Sequence, residues 1–435
     1  MNLRSKLLKG EAKIAVWGSG YIGFSTAAFY AVKGVKSICY DINPRIVEAI
    51  SRGQPPPHIP TLQDWVPFKL SDAMPNIEAT LNYKRVVSDD KVAVHFIAVN
   101  TERNGRPWKE ALEDVVSKIC EGGKKLVVIE STITPSWVDW VLDKLRGFKV
   151  AVAPRRDWFD DPSKTLESLP RVVGANSREA LEEAKEVLGI VCKHLVEVSD
   201  CKVAAIVKAY ENAQRFLNII LAEEFARAYP ELNAIEVYRA AATKWNVQYL
   251  EARLGIGGYC IPLAPQYIIE SATVKEELKA LHAGIQEWFE RRQLNSVISS
   301  ITRRAPKRGR IAVLGLSYKR DTRVPWLSPS IELVKKLIEM GYEVYVHDPY
   351  FKPSELEELG IGEAKYVSVE EAISSADVVV LSIGHRAYRS INPLTLTDEL
   401  RGKHLLDVEG IWEHAKEELV NRGVQYYRVG DQNWL

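Results

Sequence analysis

A lone cysteine set among glycines, in Gly255-Ile256-Gly257-Gly258-Tyr259-Cys260-Ile261-Pro262, is the stretch best suited to covalent chemistry. Glycine lets a backbone turn and approach a ligand where a Cβ would clash, so the Cys260 thiol can sit in an exposed, ligand-facing turn as a nucleophile. The plainer alternative is a buried, inert cysteine after a tight turn. A second signature stands near the start, where Gly18-Ser19-Gly20-Tyr21-Ile22-Gly23 is followed by Asp41. Such glycines make a tight turn and admit a pyrophosphate to a helix start, whose unpaired N–H groups and dipole favour anions. The acidic residue about twenty positions on accepts hydrogen bonds from a ribose diol and repels a 2′-phosphate, which favours NAD over NADP. A third set, Lys208, Glu211, Asn212, Arg215 and Asn218, recurs at offsets of three, four and seven. On a helix these share one side, and a cation one turn from an amide supplies the donors an oxyanion needs; a solvated face is the alternative.

These groups need elements to hold them. Ile14-Ala15-Val16-Trp17 is a short apolar run before the glycines, and Ser37-Ile38-Cys39-Tyr40 ends in Asp41. With a helix from Phe24 to Val32 between them, this is a strand, glycine turn, helix and second strand, the setting a dinucleotide fingerprint requires. Further runs at Ala93–Val99, Leu126–Ile129 and Val150–Ala153 alternate with helical stretches such as Trp108–Cys120, which predicts a doubly wound parallel sheet. Ligands of such sheets lie beyond the carboxyl ends of the strands, so Thr101, Glu130-Ser131-Thr132 and Pro154-Arg155-Arg156 fall where cofactor and substrate would bind. Cys201 to Tyr229 is the longest helical pattern, with Val203, Ile206, Val207, Tyr210, Leu217, Ile220 and Leu221 forming its expected apolar face. A second strand–glycine–helix unit opens at Ile311-Ala312-Val313-Leu314-Gly315-Leu316 and continues through Glu343–His347 to Asp348, Val378–Ile383 and His404–Val408. It keeps only Gly315 of the glycine pattern. A diphosphate could bind its turn with help from Lys319, whereas a full dinucleotide is not expected there.

The chain of 435 residues predicts two or three domains at roughly 100–200 residues each. Basic and acidic residues number 58 and 57, so no charge footprint for nucleic acid or an anionic membrane exists. The five cysteines are scattered and include no CxxC pair, which argues against a disulfide framework and against a zinc site; no metal is expected. The N-terminal residues lack a signal-peptide core and no apolar run reaches about 18 residues, so a cytoplasmic, reducing setting follows. The basic run Arg303–Arg308 reads as a hinge.

Taken together, Gly18–Gly23 with Asp41, Glu130-Ser131-Thr132, Pro170-Arg171-Val172-Val173-Gly174, Lys208 to Asn212, Tyr249-Leu250, Gly257–Pro262 and Val313–Lys319 resemble the UDP-glucose/UDP-N-acetylmannosamine/GDP-mannose dehydrogenase family. Cys-Ile-Pro with no following lysine, and Glu211-Asn212 with Arg215, Asn218 and Ile219, look more like its UDP-N-acetylhexosamine branch. The resemblance implies an α/β chain of two Rossmann-like doubly wound sheets joined by a long central helix and a helical middle domain. Its parts would be an NAD-binding domain (1–198), a central dimerisation domain (199–302) and a domain binding the UDP-sugar (303–435), with a homodimer or higher homo-oligomer built on the 201–229 helix. It implies oxidation of a sugar C6 alcohol to the carboxylate by two NAD, through a thiohemiacetal and thioester on Cys260. By the same resemblance Lys208 and Asn212 would stabilise the oxyanion, and Thr132 would order a water or hydroxyl. Gly18, Gly20, Tyr21, Ile22, Gly23, Asp41, Thr101 and Thr132 would hold NAD; Arg171, Lys208, Tyr249, Gly257 and Lys319 would hold the nucleotide-sugar.

The departures matter equally. The aspartate four residues after the family cysteine is Ala264 here, the glutamate after Pro154 is Arg155, the arginine before Ser328-Pro329 is Trp326, the arginine preceding the cysteine motif is Asn246, and the histidine before the cysteine is Tyr259. Loss of two carboxylates removes general acid–base help worth about 10²–10⁴-fold. Asp157, Asp160 and Asp161 are the nearest substitutes in sequence. A paralogue that binds NAD and nucleotide-sugar without full turnover, and an enzyme that stops at the aldehyde or a long-lived thioester, are the alternatives.

Overall fold

The computed structural model describes residues 2–157, 161 and 163–435. Packing divides the chain into two units, one of residues 1–211 with 266–275, the other of residues 212–265 with 276–435. No helix among the described residues is long and apolar enough to cross a membrane.

In the first unit the chain forms β1 (Lys13–Trp17), β2 (Lys36–Tyr40), β3 (Ile77–Thr80), β4 (Val92–Ile97), a short hairpin β5 (Glu102–Arg103) and β6 (Arg106–Pro107), then β7 (Leu126–Ile129), β8 (Lys149–Val152), β9 (Arg171–Ala175) and β10 (Leu195–Glu197). The sheet order is β10-β9-β8-β7-β4-β1-β2-β3. Every residue of β7 is buried, as expected for a strand covered by helices on both faces. Within this sheet every pairing is parallel except β8 with β9. Order reverses between β1 and β4, and beyond that switch point lies the glycine turn. The reversed strand β9 carries Arg171, and neither it nor β10 was expected from the apolar pattern.

The second unit holds β11 (Arg310–Leu314), β12 (Glu343–His347), β13 (Lys365–Tyr366), β14 (Val378–Leu381), β15 (His404–Asp407) and β16 (Gln425–Tyr427), parallel throughout in the order β13-β12-β11-β14-β15-β16. The expected hinge is partly helical, since Arg303 and Arg304 close the helix Arg292–Arg304. Arg304 is held by Ser300 O at 2.9 Å and lies 4.3 Å over the Tyr427 ring.

The long helix runs unbroken from Cys201 to Ala228 and contains one boundary between the units. Its buried side differs from the expected one. Ala204, Ala205, Ala209, Ala213, Phe216, Ile220 and Ala226 are buried, whereas Val203, Tyr210 and Leu221 are 36%, 65% and 63% exposed. Alanine allows close backbone approach, so small residues make up most of the packed side; of the expected face Ile220 is buried, Ile206, Val207 and Leu217 are half-buried, and Val203, Tyr210 and Leu221 are left outward.

On this helix Glu223 is buried, and one of its carboxyl oxygens has no hydrogen-bond partner among the described residues. Burial raises its carboxyl to about 8, with Glu287 and Glu224 adding to the shift and Arg227 opposing it. The folded state therefore keeps a proton that the unfolded chain releases near pH 4.5. The stabilisation is complete below that value and is lost as pH rises toward about 8, at roughly 1.4 kcal/mol per pH unit. Glu223→Gln should flatten this slope in urea titrations run from pH 5 to pH 8; an unchanged slope contradicts the assignment.

Candidate active site

In the first unit two of the three fingerprint glycines, Gly18 and Gly23, are required by close approach. A Cβ on Gly18 (φ 91°) would stand 2.7 Å from Ala98 O, and one on Gly23 would stand 1.8 Å from Gly18 O. A Cβ on Gly20 would meet nothing within 4 Å, which leaves open space at the start of the helix Tyr21–Ala31, where a pyrophosphate would rest. The Asp41 carboxylate is held by Ser19 N–H at 2.7 Å and Asn43 N–H at 2.9 Å. Remaining lone pairs can take a ribose diol. Asp41→Ala should lower kcat/KM for NAD by about 10–100-fold, the worth of hydrogen bonds to a charged group, and narrow the preference over NADP. Equal losses with both cofactors would contradict this.

Thr101 and Thr132 come together: Thr101 Oγ1 donates to Thr132 O at 2.7 Å, while Tyr267 Oη meets Thr101 O at 2.6 Å and Oγ1 at 3.0 Å. Tyr267 was not anticipated, because its segment follows the cysteine motif by several residues and reads as ordinary apolar helix. Its ring meets Trp137 edge-on at 5.9 Å, and Trp137 Nε1 donates to Glu270 at 2.9 Å.

Arg171, expected at the nucleotide-sugar, lies in the interior of the first unit. Its guanidinium is 3% exposed and bonds Glu130 Oε1 and Ala153 O, both at 2.5 Å. So enclosed, it braces β9 against the end of β7. Glu130 also accepts from Thr26 Oγ1 at 2.6 Å, and Thr26 is donated to by Arg155 Nη1 at 2.5 Å. Arg155 is 1% exposed and forks onto Asp157 through Nε (2.8 Å) and Nη2 (2.6 Å), with Ile22 O at 3.3 Å and Ser25 Oγ at 3.1 Å. Two guanidiniums thus balance two carboxylates beneath the dinucleotide-binding helix.

This settles what stands at the missing carboxylate. Burial alone would raise Asp157, but Arg155 outweighs it and holds the carboxyl below its usual range, so Asp157 is a poor base. Asp161 is taken up by the Ser163 hydroxyl and N–H, which also lower it. Asp160 lies outside the described residues. Arg156 forks onto Glu211 at 3.1 and 2.5 Å and onto Pro170 O at 2.8 Å, pinning the long helix one residue from Asn212 and three from Lys208. Both of those side chains are half-buried.

In the second unit Cys260 is exposed and is the first residue of the helix Cys260–Ser271, so the buried, inert alternative does not describe it. The partial positive charge of a helix start favours an anion at such a position. The preceding loop is clamped. A Cβ on Gly257 would meet Leu327 O and Pro329 Cδ at 2.7 Å, and one on Gly258 (φ 72°) would strike the Tyr318 ring at 2.5 Å. Ile256 is buried with Phe216, Ile220 and Trp288, joined by the partly buried Ile261 and Leu327; Trp288 Nε1 donates to Ile256 O at 2.8 Å. Inward isoleucines leave Cys260 outward and Tyr259 half-buried beside it. Tyr249 is 41% exposed and donates to Glu251 at 2.7 Å, and Lys319 is half-buried in the turn after β11.

That turn repeats the first one with a different use. Gly315 (φ 101°) would put a Cβ 2.8 Å from Ile383, but Asp348, the counterpart of Asp41, is wholly buried. It accepts from Leu316 N–H (2.6 Å), Ser317 N–H (3.1 Å) and Tyr350 N–H (2.8 Å). His385 Nδ1 receives Asp321 N–H at 2.9 Å, so Nε2 carries the proton and donates to Asp348 at 3.1 Å.

Family models match in the same order as this architecture. The UDP-glucose/GDP-mannose dehydrogenase NAD-binding domain matches residues 12–190, the central domain residues 202–287, and the UDP-binding domain residues 312–414. The chain belongs to the UDP-glucose/GDP-mannose dehydrogenase family. NAD is its cofactor and a nucleotide-sugar its substrate class. Among relatives of this dehydrogenase, the UDP-N-acetyl-D-mannosamine dehydrogenase of Methanocaldococcus jannaschii is 28% identical over 447 aligned residues, covering 96% of each chain. That of Pyrococcus horikoshii is 28% identical over 438 aligned residues, covering 95% of this chain and 99% of its own. The solved structure of UDP-D-ManNAc dehydrogenase from Pyrococcus horikoshii superposes with a TM-score of 0.83 at 26% identity, over 97% of this chain and 100% of that one. Two of the positions read in the sequence as departures, Tyr259 and Trp326, fall on one contact in this dehydrogenase, their rings 6.0 Å apart.

Proposed function

We propose that this enzyme oxidises the C6 alcohol of a UDP-N-acetylhexosamine, UDP-N-acetylmannosamine in the first instance, to the uronate. The observation that carries the reading is Cys260, exposed at a helix start behind a clamped glycine loop. Relatives named as UDP-N-acetyl-D-mannosamine dehydrogenases support the substrate. NAD, when bound, supplies the hydride acceptor for both oxidations. The Cys260 sulfur adds to the C6 aldehyde left by the first, giving a thiohemiacetal; after the second a thioester remains, which water cleaves to carboxylate and free thiol. Lys208 and Asn212 donate to the oxygen as charge develops on it, Thr132 orders the attacked hydroxyl or water, and Thr101 supports the cofactor turn. Tyr249, Gly257 and Lys319 hold the nucleotide-sugar. The domains divide at 1–198, 199–302 and 303–435, in step with the three family segments. The outward Val203, Tyr210 and Leu221 on the long helix are the stripe on which two copies would pair, and the cytoplasm is the expected setting.

Purified protein mixed with NAD and UDP-N-acetylmannosamine should yield two NADH per uronate. No NADH from any UDP-N-acetylhexosamine with folded, NAD-binding protein ends this reading. A second reading has its own support: Asp157 is locked to Arg155, and Ala264 is buried at 2%, so both family carboxylates are missing. Thioester hydrolysis would then limit turnover, and intact-mass spectra of the quenched reaction should show a sugar adduct on Cys260.

A further inference from the structure

We propose that Tyr259 and Trp326 form an aromatic wall beside Cys260 that receives the methyl of the substrate's acylamino group, which makes Trp326 a specificity-determining residue. The inference rests on the proposed nucleotide-sugar reading and names what part of the sugar is read, and by what.

Trp326 is 56% exposed, an unusual place for an indole, and its ring meets that of Tyr259 with centroids 6.0 Å apart and planes inclined at 37°. The pair is held from both sides. Leu327, next in the chain, adopts a left-handed backbone (φ 49°) that sends its side chain inward to Phe216, Ile220, Ile256 and Trp288 while Trp326 faces outward. Non-glycine residues keep such a conformation only where surroundings enforce it, and such sites gather around ligands. Here the enforcing groups are visible: Ser328 Oγ bonds Leu316 O at 2.6 Å, and Gly257 lies too close to Leu327 O and Pro329 to bear a Cβ. Tyr259 directly precedes the nucleophile, so a sugar bonded through C6 to Cys260 lies within reach of the wall.

An aromatic face offers no acceptor or donor of ordinary strength. A hydroxyl pressed on it loses water without replacement, whereas a methyl is buried favourably and presents its positive edge to the negative ring face. The wall therefore separates sugars by an apolar substituent. One methyl in an apolar pocket is worth roughly 10–200-fold, and a half-open wall belongs at the low end.

The test measures binding by calorimetry, independent of turnover, with UDP-N-acetylmannosamine and its N-formyl counterpart, which differ by that methyl. Wild-type protein should bind the acetyl compound about 10-fold more tightly; Trp326→Ala should remove the difference and Trp326→Phe should retain most of it. Melting temperatures should not move, since the indole is exposed. Equal binding of both compounds by wild type, or an undiminished preference in Trp326→Ala, overturns the wall. Absence of NADH formation alongside an intact preference overturns only the catalytic reading.

Discussion

Cys260→Ala should abolish uronate formation, by about 10³-fold or more, while nucleotide-sugar and NAD binding stay within about two-fold of wild type. The magnitude follows from removing a covalent nucleophile, whose loss is among the largest single-residue effects in enzymes. The selectivity follows from the structure: the thiol is exposed, and the loop is clamped by Ile256, Gly257 and Gly258 rather than by the sulfur. Cys260→Ser should behave similarly, because a hydroxyl adds to an aldehyde but leaves a poorer acyl carrier. Mixing the variant with excess NAD and UDP-N-acetylmannosamine and quantifying the sugar acid by mass spectrometry gives the readout. Wild-type yields of acid from the alanine variant would show that the chemistry does not pass through this sulfur. A second outcome is informative in kind: accumulated free aldehyde places the thiol after the first hydride transfer.

Arg171→Met should destabilise the first unit by about 3–5 kcal/mol, the usual result of stripping one partner from a buried ion pair. Glu130 would be left at 1% exposure with, among the described residues, the Thr26 hydroxyl as its remaining side-chain donor. The pair's worth is far smaller than the penalty of halving it, so Arg171→Met combined with Glu130→Leu should recover much of the loss. Urea titrations followed by far-ultraviolet circular dichroism measure both. A substrate-binding arginine would instead raise KM and leave the midpoint in place, and that result would restore the role first expected of Arg171.

The alternation of strands with helices, the glycine turns and Asp41 were legible in the sequence because local pattern determines them: apolar runs alternate with helices, and the turn needs glycine where a Cβ would collide. The pairing of Arg171 with Glu130 was not legible, for the opposite reason. The two are forty-one residues apart, and nothing in either neighbourhood says that they meet in the interior. The long helix was assigned its extent but not its side, since a pattern of large apolar residues hides the alanines that actually pack. Tyr267 and the Tyr259–Trp326 contact depend on segments brought together by folding alone.

The burial of Asp348 has a consequence for how the enzyme sorts its two nucleotides. Its oxygens are already spent on the amides of Leu316, Ser317 and Tyr350 and on the His385 imidazole, so no ribose diol can be grasped there. The fold that could have become a second berth for the coenzyme is closed to it. Excess NAD should therefore not compete with the nucleotide-sugar at this turn, which leaves the turn to a ligand held by its phosphates alone.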